Sequence, residues 1–105
     1  MKIDVCMTAV RRPGLLAETL ASFQDNVFSN FTIGSVSVNI DPAFGTKSDE
    51  DACEALVHRY FDSVQVRKPE TPSFGGAVKW LWSTASKNIL FHMEDDWICL
   101  DRITP

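Results

Sequence analysis

The feature that most constrains this chain is an alternation, repeated three times and closed by a fourth β-prone run, of short strand-like segments with helical stripes. Residues 3–8 (IDVCMT) have strand character, and Arg11-Arg12-Pro13-Gly14 interrupts them. Residues 15–23 follow with Leu16, Leu20 and Phe23 on one helical face. Residues 35–40 (SVSVNI) alternate with a period of two and run into Asp41-Pro42. Past Gly45, Ser48 is the expected cap of a second helix, whose first turn, Asp49-Glu50-Asp51, reads as a solvated acidic start favoured by the helix dipole. Its apolar stripe is Cys53, Leu56, Val57 and Tyr60. A short third strand spans 63–66, and residues 69–76 form a loop, since Pro69 and Pro72 oppose helix there. A third helix over 77–86 puts Ala77, Trp80, Leu81 and Thr84 on its core face and Trp82 roughly opposite. Residues 89–93 make the fourth strand, and their near-continuous apolar character predicts burial on both faces.

This order implies right-handed crossovers and an α/β fold, a three-layer α/β/α sandwich around a mostly parallel four-strand sheet. The 105 residues suit a single domain, 1–105. With 45% hydrophobic and 23% charged residues the composition is that of a folded chain, so disorder is excluded. The net charge of -4, without a Lys/Arg block, argues against nucleic acid as a partner. No apolar run is long enough to form a transmembrane segment, and the start, MKIDVCMTAV, lacks a signal-peptide pattern, so a cytoplasmic protein is expected. The three cysteines, Cys6, Cys53 and Cys99, have no CxxC spacing and read as reduced core thiols.

In parallel sheets ligands bind beyond the carboxyl ends of the strands. That rule gathers residues 8–12, 39–41, 67–76 and 94–97 along one edge. The last of these follows directly on an apolar strand: ILFHMEDDW places Glu94, Asp95 and Asp96 side by side. Adjacent carboxylates repel unless water, a cation or a positive partner relieves them. Their hard oxygens suit Mg²⁺, Mn²⁺ or Ca²⁺, and a solvated strand end is the plainer alternative. Asp41 reads equally as a turn residue or a ligand contact, and Gly75-Gly76 as phosphate-approaching backbone or a simple helix start. His92 reads as a satisfied core histidine. Neither GxGxxG nor GxxxxGK occurs, which removes the main support for dinucleotide or NTPase readings. Met7-Thr8-Ala9 lacks the carboxylates a phospho-acceptor receiver would carry after its first strand.

Four stretches in order, MTAVRRPGLLAETLASF, SVNIDP, SFGGAVKWLWSTA and ILFHMEDDW, resemble the N-terminal, nucleotide-binding half of GT-A glycosyltransferases of the family 2-like group. The most specific item is the apolar strand ending in EDD, an acidic variant of the DXD motif. The resemblance implies a truncated GT-A fold that binds a nucleotide-diphosphate sugar, UDP- or GDP-linked, with Mn²⁺ or Mg²⁺. It implies that Thr8 and Ala9 border the nucleoside, that Asp41 hydrogen-bonds base or ribose, and that Asp96 is the principal metal ligand. Glu94 would align with the first acid of the motif as a further ligand, and Asp95 would contact the donor sugar or support the metal ligands from behind. The Gly75-Gly76 loop would approach the donor, and Lys79 lies near a place where the family often carries Arg. Where the family usually has an aromatic residue or Asn after the first strand, this chain has Val10-Arg11-Arg12, and Arg11 is a candidate phosphate contact. The family's acceptor site and general base come from a second half beyond these residues, so no catalytic residue is assigned. A homodimer or a missing partner domain is expected, and the alternative function is a non-catalytic nucleotide-binding or assembly module.

Overall fold

The structure, a computed structural model, describes residues 1–84 and 88–105. Its elements run β1 (Lys2–Ala9), α1 (Pro13–Asn26), a 3-10 turn (Phe28–Asn30), β2 (Thr32–Ile40), α2 (Lys47–Tyr60), β3 (Gln65–Arg67), α3 (Phe74–Ser83) and β4 (Ile89–Glu94). The four strands form one sheet in the order β3-β2-β1-β4, and every pairing is parallel. The expected three-layer arrangement is present: α1 and α2 pack on one face, α3 on the other.

The pleat of β1 sorts its side chains between two different environments. Ile3, Val5, Met7 and Ala9 join Leu16, Leu20 and Phe23 of α1, Val36, Val38 and Ile40 of β2, and Cys53 and Val57 of α2 in one apolar core. Phe23, Phe28, Phe61 and Phe91 close its lower end with ring centroids 5.3–6.4 Å apart. On the opposite face the sheet presents Asp4, Cys6, Ser37 and Asn39, and these are buried polar or thiol groups that need partners. Cys6 donates to the Leu81 carbonyl at 3.4 Å, Ser37 receives the Thr84 hydroxyl at 2.7 Å, and Asp4 accepts from the Ser35 N–H at 2.8 Å. The α3 face is held by polar contacts, the α1/α2 face by apolar packing.

Several expectations are corrected in detail. The second helix is capped by Thr46, not Ser48: Thr46 Oγ1 accepts from the Asp49 N–H and the Asp49 carboxylate accepts from the Thr46 N–H, a complete capping box. Its acidic start is not simply solvated, because Glu50 is buried between Arg11 and Lys47. The third helix starts at Phe74, with Ser73 Oγ accepting from the Gly76 N–H, so Gly75 and Gly76 form its first turn instead of a loop. Its expected end at Ser86 lies outside the described residues. β4 is an edge strand with only Met93 fully buried and Ile89 57% exposed, so burial on both faces does not hold. Position in the sheet decides this: no strand among the described residues flanks its outer side. His92 is not a core residue but half-buried beneath an exposed tryptophan.

Candidate functional site

The carboxyl ends of β1, β2 and β4 and the N-terminus of α3 enclose a cleft of about 130 Å³. Thr8, Ala9 and Val10 form its floor, where β1 runs out of the sheet. Asn39 and Asp41 enter from β2, Phe74 and Ala77 from α3, and Glu94, Asp95 and Asp96 from the end of β4. Arg12 also lines it, paired with Asp95.

Asp95 is 4% exposed and is bound from every direction. Its N–H donates to the Thr8 carbonyl at 3.1 Å and its own carbonyl accepts from the Thr19 hydroxyl of α1. Its carboxylate accepts from the Val10 N–H at 3.0 Å and from Arg12 Nη2 at 3.5 Å. Burial pushes this carboxyl above the usual carboxylate range; the Val10 N–H and the Arg12 guanidinium oppose that rise, and neighbouring Asp96 adds to it. Asp95 thus ties the acidic turn to the segment following β1. Asp96 is exposed, and half-buried Glu94 has Oε2 4.0 Å from His92 Nε2.

Asp41, 8% exposed, belongs to a second network. Its two carboxylate oxygens accept from Asn39 Nδ2 at 2.8 Å and from the Ser73 N–H at 3.1 Å, while Arg67 donates to Asn39 Oδ1 at 2.7 Å. The end of β2 is thereby fastened to the start of α3. Each carboxylate oxygen has capacity for a further hydrogen bond.

The structure brings together Thr8, Ala9, Asp41, Glu94, Asp95 and Asp96 around one cavity. Arg11 is elsewhere: its side chain pairs with Glu50 at 3.4 Å, and it borders a separate charged hollow with Lys47 and Lys68. Gly75, Gly76 and exposed Lys79 lie on α3 but do not line the cavity. Arg12, Asn39 and Phe74 also line the cavity; the sequence gathers all three on this edge but gives Asn39 and Phe74 no contact of their own, since Asn39 lies inside an alternating strand and Phe74, 60% exposed at the rim, in a loop-like stretch. The Arg12 guanidinium also stacks 5.0 Å over the Phe44 ring, in a turn where Phe44 and Gly45 both take positive φ.

Among the described residues no group of three or more His, Cys, Asp or Glu side chains is arranged to hold a metal ion, and no helix is long and apolar enough to cross a membrane.

No family model matches this chain. No curated protein matches it either. Among solved structures it is similar to the crystal structure of S. aureus TarS, with a TM-score of 0.65 and 18% sequence identity over 91% of this chain. The match covers 17% of the TarS chain. At that identity the likeness concerns the fold alone.

Proposed function

We propose that this domain is the nucleotide-binding part of a GT-A glycosyltransferase and holds a nucleotide-diphosphate sugar, UDP- or GDP-linked, in the cleft between β1, β2 and β4. The observation that carries the reading is the meeting of Asp41 with Glu94, Asp96 and Arg12 in the lining of one cavity. The fold shared with part of TarS, a glycosyltransferase, supports the same chemistry.

The donor set suits one kind of metal site. With no cage of three protein ligands among the described residues, a cation here would rely on the open carboxylates of Glu94 and Asp96 and take its remaining oxygens from phosphate and water, as Mg²⁺ and Mn²⁺ do in nucleotide sites. An ion held by Glu94 and Asp96 would supply positive charge against the departing diphosphate. The chain's own groups divide the rest of the work. Asp41, oriented by Asn39 and Ser73, accepts from base or ribose; Thr8 and Ala9 border the nucleoside; the Arg12 guanidinium faces phosphate; the Phe74 ring offers an apolar face. Asp95 keeps the acidic turn and the Val10–Arg12 segment in register.

Calorimetric titration with UDP, GDP and their sugars, each with Mn²⁺, tests the reading. At least one titration should give heat that Asp96→Ala and Asp41→Ala both abolish while the far-ultraviolet circular dichroism is unchanged. Heat that survives both substitutions, or none with any of these ligands, would overturn it.

A further inference from the structure

Arg67, Asn39 and Asp41 form a hydrogen-bond chain that runs in one direction. Arg67 and Asn39 are paired across the β2–β3 ladder, and Arg67 Nη1 donates to Asn39 Oδ1 at 2.7 Å. Asn39 Nδ2 in turn donates to one Asp41 oxygen at 2.8 Å, and the Ser73 N–H donates to the other at 3.1 Å. Both ends of the chain rest on α3: the Arg67 guanidinium lies 6.0 Å from the centre of the Trp80 ring, and Ser73 caps the helix. Asn39 and Asp41 line the cleft, whereas Arg67 does not.

The direction is set from the Arg67 end. A guanidinium donates and never accepts, so only the amide oxygen of Asn39 can face it. Asn39 is 1% exposed, and a half-turn of its amide would set nitrogen against guanidinium and oxygen against carboxylate. The amide nitrogen is therefore held toward Asp41. With a backbone N–H on its other oxygen, Asp41 is fixed by donors on both sides and offers the cleft only acceptor capacity.

We propose that Arg67 is a positioning residue of the nucleotide site, acting through Asn39 so that Asp41 selects a nucleobase presenting a ring N–H. The inference rests on the nucleotide-sugar reading above and deepens it, assigning Asp41 to the base instead of the ribose and a role to a residue outside the cleft. A ribose hydroxyl donates and accepts alike, so fixing the sense of Asp41 would discriminate nothing there. A base edge has a fixed sense. The ring nitrogen beside the carbonyl carries hydrogen in uracil and guanine, whereas the matching nitrogen of cytosine or adenine is a bare acceptor that a carboxylate repels. The exocyclic amines of cytosine and adenine can donate, but only by bringing that lone pair beside the same carboxylate. Without Arg67 the amide is held from one end alone, its buried oxygen loses its donor, and Asp41 loses its lateral restraint.

The test is calorimetry on the full chain with Mn²⁺, comparing UDP with CDP and GDP with ADP. In the unsubstituted chain UDP or GDP should bind at least about tenfold tighter than its counterpart. Arg67→Met should bring that ratio to within about threefold, and Arg67→Lys, which keeps a donor, should restore most of it. Asn39→Asp is a second variant, close in shape and still paired with Arg67, that faces Asp41 with an oxygen and should also collapse the ratio. A cross-strand bond with a structural role alone would lower the urea midpoint and weaken all the nucleotides alike, leaving the ratio unchanged, and that result overturns the proposal. Equal affinities for each pair in the unsubstituted chain overturn it too, while nucleotide binding stands. Absence of heat with every nucleotide removes the nucleotide reading and this inference with it.

Discussion

Asp95 and Asp96 are adjacent in the chain and opposite in circumstance. Asp95→Ala strands the Val10 N–H and the Arg12 guanidinium, and a loss of about 1–3 kcal/mol in urea unfolding is expected from such unpaired groups. Asp96→Ala, on an exposed side chain, should leave the unfolding midpoint within about 0.5 kcal/mol of the parent. A reversed ranking would mean that the Asp95 network does not hold the turn together. The thiols differ in the same way. Burial raises Cys6 and Cys53 to about 11, so both remain protonated near neutrality, whereas Cys99 is half-exposed. A thiol reagent at pH 8 should therefore modify Cys99 quickly and the other two only after denaturant is added. That the acids end a strand at the rim of the cleft was legible from an apolar run stopping at EDD. Which of them turns inward was not, because three consecutive carboxylates look alike until backbone donors such as the Val10 N–H are in place.

At the scale of elements, α2 illustrates why type is easier to read than boundary. Thr46-x-x-Asp49 and Ser48-x-x-Asp51 are equivalent capping patterns two residues apart. Thr46 prevails because the turn ahead of it takes positive φ at Phe44 and Gly45 and brings the chain beside Arg11, where a side chain at Gly45 would collide with the Arg11 carbonyl. Thr46→Ala should cost about 0.5–2 kcal/mol and Ser48→Ala close to nothing in thermal or urea melts; similar losses for both would contradict the assignment of the cap. The same turn explains the exchange of Arg11 for Arg12 in the cleft. Where a strand leaves its sheet, consecutive side chains diverge, and only the path of the backbone says which faces the ligand. Asn39 was placed on the rim without a role for a related reason. In SVSVNI it reads as one more polar position of an alternating strand, and its partner Arg67 comes from β3, a different part of the sequence.

Across the whole molecule the two faces of the sheet are unequal. Leu16, Leu20, Val38, Ile40 and Val57 are fully buried on the α1/α2 side, whereas α3 contributes Ala77 and Leu81 and is otherwise joined through hydroxyls and a thiol. In native-state hydrogen exchange the amides of β1 and β2 should exchange only with global unfolding, and those of α3 sooner; uniform protection would show that the polar face is as cooperative as the apolar one. Element order, parallel pairing and the rim that carries the cleft were all readable from periodicity and from the strand-end rule. The partial exposure of β4 was not, because the near-continuous apolar run ILFHM reads as burial on both faces. The pairing of β1 also has a kinetic side. Of these four strands β1 comes first in sequence and lies at the middle of the sheet, and its second flank, Ile3 against Ile89 through Thr8 against Glu94, pairs it with the strand that comes last. Refolding must therefore make its longest loop closure to complete its central element, and until then the open border of β1 is available to other copies, so yield should fall as refolding concentration rises.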